Sequence, residues 1–92
     1  MIQGPLPLTA LRPAAAGRVV RVLPDLTGRS ERLAALGVTA GASIRLLQRF
    51  PAFVFECDQT EIAVERRMAA VILVEVDEAE HPRPSTMFRR RR

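Results

Sequence analysis

The stretch "ERLAALGVTAGASIRLL", Glu31 to Leu47, holds the corner on which the reading of the whole chain depends. Leu33 and Leu36, with Leu26 upstream, recur at helical spacing and give an apolar stripe on one side of about two turns. Gly37 interrupts it. A glycine just past a helix end takes left-handed backbone at little steric cost, and Val38 then falls where it can touch Leu33, as in a Schellman stop. Thr39-Ala40-Gly41-Ala42 places glycine where a type II turn requires positive φ. "SIRLLQRF" then alternates as a strand, with Ile44 and Leu46 inward. No residue of the stretch reads as a catalyst, so the corner is architecture.

Working outward, short β-branched runs flank the corner. "GRVVRVL", Gly17 to Leu23, is a first strand with Val20 and Val22 on one face. Thr27 or Ser30 is placed to cap the helix that follows. "FVFEC" directs Phe53, Phe55 and Cys57 to one side. "IAVE" directs Ile62 and Val64 inward, which predicts Cys57 near Ile62 and a loop from Asp58 to Glu61. "RRMAA" is a turn or helical step, and "VILVEV" is the last strand, carrying Ile72, Val74 and Val76. Pro5 and Pro7 make the start extended. "LTALRP" follows as a single helical turn, capped by Thr9 and ended by Pro13. The sum is a mostly β domain over residues 1–76: a small five-stranded barrel with one short helix between its first and second strands. Residues 77–92, with mixed charge, two prolines and no apolar periodicity, read as a disordered Arg-rich segment.

Ninety-two residues, 48% of them hydrophobic and with no Trp or Tyr, make one domain with a thin aliphatic core. The formal net charge is +4, and all fourteen basic residues are Arg. Setting Arg89 to Arg92 aside leaves ten Arg against ten acids. The remainder of the chain therefore has no charge excess that argues for nucleic acid. One cysteine excludes an internal disulfide. The first residues lack the basic and apolar regions of a signal peptide, and no run reaches the ~20 apolar residues of a membrane span. The expected location is the cytoplasm.

Candidate chemistry is sparse. Cys57 on an apolar strand face acts as a small hydrophobe, and His81, the chain's one histidine, precedes a proline in the terminal segment. No pair has metal-ligand spacing, so neither a metal site nor a cofactor site is assigned. No Gly-rich phosphate loop or nucleophile–base constellation supports an enzyme. Arg66-Arg67 reads first as a solvated strand end and second as an anion dock. "FRRRR" is suited to weak contact with an anionic membrane through Arg89, Arg90, Arg91 and Arg92, each worth roughly 1 kcal/mol. Phe50 and Phe53 bracket Pro51 and cannot both point inward. An exposed apolar patch joining Arg32, Leu36, Val38, Phe50, Pro51 and Phe53 beside the helix corner is therefore the candidate docking surface for a protein partner.

Three segments, "PLTALRPAAAGRVVRV", "RLAALGVTAGASIRLL" and "EIAVERRMAAVILVEV", together resemble the ferrous iron transport protein A (FeoA) family. The shared features are Pro7-Leu8, Gly17, the corner Leu36-Gly37-Val38-Thr39-Ala40-Gly41, and Ile62 to Val76 with its Arg-Arg and small-residue turn. Ala40 stands where the family usually has proline, "RFPAF" replaces a longer Gly-rich loop, and "CDQTEI" lacks a glycine often found before the fourth strand. The resemblance implies an SH3-like barrel in the bacterial cytoplasm, without catalytic activity. It also implies association with the membrane ferrous iron transporter that carries a G-protein domain, and kinship with the SH3-like domains of iron-dependent repressors. Two rivals stay open: a nucleic-acid-binding small barrel, against which the neutral body and lack of Tyr and Trp argue, and a detached repressor domain. A homo-oligomer also stays open, since small barrels with apolar rims self-associate.

Overall fold

Alternation of apolar side chains at period two marks out the strands of the chain. In the computed structural model, which describes residues 4–24 and 27–77, six strands form one sheet: β1 (Leu6–Pro7), β2 (Ala16–Val22), β3 (Ser43–Gln48), β4 (Phe53–Cys57), β5 (Thr60–Val64) and β6 (Ile72–Val76). Their order across the sheet is β1-β6-β2-β3-β4-β5, and every neighbouring pair is antiparallel. Helices α1 (Arg29–Ala35) and α2 (Arg66–Ala69) and a 3-10 turn (Leu8–Ala10) complete the described residues.

The mostly β architecture agrees with the sequence, but the closed five-stranded barrel does not. The additional strand is β1, only two residues long, with Leu6 opposite Val74 and Pro7 opposite Leu73. Proline has no N–H to donate, so it is tolerated only at a sheet edge such as this one. Among the described residues no ladder joins β1 to β5, and the sheet stays open between them. On that side the 3-10 turn packs against α2, burying Leu8, Met68 and Ala69. Thr9 does not cap this turn; Pro7 occupies the cap position without a side-chain hydrogen bond.

Two bulges interrupt the ladders, and the first shifts an expected face. Val19, not Val20, is buried, because the β2–β6 register slips between Val19 and Arg21. The inserted residue lets Val19 and Val22, three apart, both pack toward the core and turns Val20 outward. A second slip against β4, between Leu46 and Gln48, leaves Leu47 outward beside the buried Leu46. The β4–β5 hairpin is also tighter than expected. Cys57 faces Thr60 and Ile62 faces Phe55, so the connection is Asp58-Gln59 alone. The displacement is two residues, which keeps Ile62 and Val64 on the inner face. Both turn residues take left-handed backbone, with φ of 48° and 76°. That conformation matches the twist of the flanking strands. The Asp58 carboxylate accepts the Ser43 N–H at 3.1 Å and holds the turn against the start of β3.

The corner forms as its glycines dictate. Gly37 has φ 95°, its N–H donates to the Ala34 carbonyl at 3.0 Å, and the Val38 N–H donates to the Leu33 carbonyl at 2.9 Å. That bond pair is the Schellman motif. Gly41 has φ 93°, and the Ala42 N–H closes the type II turn on the Thr39 carbonyl at 3.0 Å. The other end of α1 differs from expectation. Gly28, left-handed at φ 81°, occupies the cap position without a side-chain cap, in place of Thr27 or Ser30. Leu33 anchors the helix in the core, and Leu26 lies outside the described residues. Leu33 and Val38 join Leu8, Ile44, Leu46, Phe55, Ile72 and Val74 in one cluster.

Candidate docking surface

The corner and the Phe50 loop occupy opposite ends of the β3–β4 hairpin. The corner precedes β3 and touches the last residue of β4, where the Cys57 thiol donates to the Gly37 carbonyl at 3.7 Å. The Phe50 loop follows β3 and leads into the first residue of β4. Five residues of strand, about 14 Å along the chain, lie between. The single patch expected from sequence is therefore two surfaces.

At the corner, Leu36 closes α1 and remains 49% exposed, with Arg32 exposed one turn earlier. Val38 is only 1% exposed and offers nothing to a partner, because the Schellman stop folds it back over Leu33. At the loop, the question of which phenylalanine points inward resolves cleanly. Phe53 is 2% exposed and belongs to the core, because β4 starts there and its alternation aims Phe53, Phe55 and Cys57 inside. Phe50 is 83% exposed on the outer side of Pro51, which is itself exposed.

Charge gathers beside the buried Phe53 ring, three residues on. The Arg49 side chain donates to the Thr9 carbonyl at 2.9 Å, and its guanidinium lies 5.7 Å from the Phe53 ring centroid. Arg66, from the start of α2, lies 6.0 Å from the same centroid. Both cations are within cation–π range of one buried ring while remaining exposed. Arg66 is thus more than a solvated strand end, although Arg67 beside it is simply exposed. Leu47 adds apolar surface three residues before Phe50. Sequence reasoning passed over it, but the signal was present: of two adjacent leucines in a strand, one must face out unless a bulge intervenes, and here the bulge residue itself is the exposed one.

Metal and thiol chemistry find little footing. Among the described residues no three His, Cys, Asp or Glu come together. Burial, and secondarily the charge of Asp58, pushes the Cys57 thiol above its ordinary pKa, away from the thiolate that metals and electrophiles require. His81 and Arg89 to Arg92 lie outside the described residues. No helix among the described residues is long and apolar enough to cross a membrane.

Comparison with known proteins gives the lineage. The FeoA domain model matches residues 6–76, from the first strand to the last. No curated protein matches the chain. Among solved structures, the iron uptake regulatory protein FeoA superposes with a TM-score of 0.71 at 23% identity, over 80% of this chain and 99% of that one. A FeoA-like protein from Clostridium acetobutylicum gives 0.71 at 18% identity, over 82% and 90%. The T. acidophilum protein IdeR gives 0.74 at 22% identity, but this chain spans only 36% of its length. At these identities the superpositions speak for the fold. The family rests on the domain match, which takes in every strand and the whole corner: the chain belongs to the FeoA domain family.

Proposed function

We propose that this protein is a non-enzymatic accessory component of bacterial ferrous iron uptake, acting in the cytoplasm and at the inner membrane. It docks on the cytoplasmic G-protein region of the ferrous iron transporter and biases one of that partner's states by differential binding. Membership of the FeoA domain family supports the pathway. The observation that carries the docking reading is Phe50, a large aromatic that is 83% exposed and follows Arg49 directly, three residues before Phe53, whose ring Arg49 and Arg66 approach. An exposed aromatic with an arginine beside it in the chain has the composition of an interface hot spot. It fits a partner pocket that is apolar at its floor and acidic at its rim. Arg32 and Leu36, at the far end of the hairpin, serve a second and smaller contact.

The test is affinity capture from detergent-solubilised membranes. The wild-type chain recovers a large membrane protein with nucleotide-hydrolysing activity. Phe50→Ala weakens that capture by roughly 30-fold, the equivalent of a 2 kcal/mol hot spot, with the melting transition unchanged. Recovery of RNA and no membrane protein would sink the reading in favour of a nucleic-acid-binding barrel.

A further inference from the structure

The sheet has one open side that the docking reading does not use. Among the described residues β5 pairs with β4 alone. In a two-residue hairpin the residues flanking the turn exchange both hydrogen bonds, so Cys57–Thr60, Phe55–Ile62 and Phe53–Val64 are the bonded pairs. The N–H and C=O groups of Glu61 and Ala63 consequently point away from β4 at the open edge. No backbone hydrogen bond joins them to another described residue. Such an edge is a template for an extended segment.

The residues beside the edge indicate which segment. Glu56 and Glu61 stand directly opposite each other as a closely spaced, non-bonded pair of like charge, an arrangement that costs stability. Arg45 faces Glu56 from β3 and leaves Glu61 unbalanced. The same row continues through Ala16, opposite Arg45, to Asp77, whose N–H donates to the Ala16 carbonyl at 2.8 Å. The last described residue and the open edge are thus the two ends of one row across the sheet. A groove of about 460 Å³ lies over that row, with Asp77 on one rim and Glu56, Asp58 and Gln59 on the other.

We propose that the chain's own C-terminal segment crosses this groove and lays Arg89–Arg92 along the β5 edge. Reach is sufficient. Eleven residues, 78–88, separate Asp77 from Arg89, and extended they span about 36 Å. The four strand steps from β6 to β5 cover roughly 19 Å. Charge is complementary, since those four arginines are the chain's entire positive excess. In an extended segment alternate arginines share the face of Glu61 and Glu65, while the backbone bonds Glu61 and Ala63. Arg66 and Arg67, just past Glu65, repel the block from that end and set it toward Glu61. A second copy fits the edge less well, because it brings more glutamate to a face that already carries a like-charged pair.

Amide exchange and chemical shifts, followed by NMR, test the proposal on the full chain and on a version ending at Met87. At an effective concentration near millimolar, docking slows exchange at the Glu61 and Ala63 amides by about two- to fivefold in the full chain at low salt. The difference disappears at about 0.5 M salt, where the Debye length is only a few Å. It also disappears at Ala63 when Glu61→Lys is introduced. Identical shifts and rates in the two chains would overturn the proposal. So would a difference that fades on dilution, which assigns the edge to a second copy, or one that survives Glu61→Lys, which places the arginines elsewhere.

Discussion

Gly17 shows how strongly one position can be constrained. A Cβ built on it would run into the Glu75 carbonyl oxygen of β6, across the β2–β6 ladder. Gly17→Ala must push the two backbones apart, and a loss of about 1–3 kcal/mol in urea denaturation is expected. Cys57 makes a second residue-level prediction. Its thiol pKa is raised in the folded chain, by burial first and by Asp58 second, above the ordinary value of 9.0. The folded state therefore holds this proton to higher pH than the unfolded state does. The contribution of Cys57 to stability is fully present below pH 9 and is lost as pH rises through the folded value. Stability measured from pH 8 to 11 declines less steeply in Cys57→Ala than in the wild type. The chain's family pointed toward iron, yet its one cysteine serves the core.

At the scale of elements, α1 is too short to persist alone and depends on its docking. Leu33→Ala removes the buried anchor and costs about 2–5 kcal/mol, whereas the exposed Leu36→Ala leaves the melting transition nearly unmoved. The β4–β5 turn offers the opposite sign. Gln59 holds φ 76° with a side chain attached, at roughly 1–2 kcal/mol of steric cost. Gln59→Gly relieves it, and the melting temperature rises. These elements also show how far a sequence carries. The Schellman stop and the type II turn were legible because glycine is nearly obligatory where φ is positive. The Asp58-Gln59 turn was not legible, because no glycine marks it and the Ser43 contact that steadies Asp58 lies fifteen residues away. Bulges escaped for a similar reason. Val20 looks like an inward residue until the partner strand fixes the register, and nothing in the run of Leu46 and Leu47 marks the bulge between them and β4. Phe50 and Phe53 were recognisable as a pair of which one must face out, but only the start of β4 decided which.

For the whole molecule, one sheet and one core organise the described residues, the last of which is Asp77. A chain ending at Asp77 unfolds cooperatively within a degree or so of the full chain, because tethered surface contacts of the kind proposed for the arginine block add little to global stability. Calorimetry on both versions checks this. Secondary structure and the inward residues were largely written in the alternation of apolar positions. The open seam between β1 and β5 was not, because closure depends on how a proline-flanked pair of residues meets β6. Nor could sequence place the candidate surface, since its residues lie within one short span of chain but at two ends of a hairpin.

The Arg49 side chain, bonded to the Thr9 carbonyl and lying over the Phe53 ring, has a kinetic meaning as well as a structural one. It tethers the residue next to Phe50 to a distant part of the chain, so the aromatic is already presented in its final posture. A partner meeting such a surface has no loop to freeze. The ordering entropy was spent when the domain folded, and encounter can lead straight to the bound state. Loosening the tether by Arg49→Ala would leave every contacting atom of Phe50 in place and still slow the association, since the partner would then have to select the right loop from many.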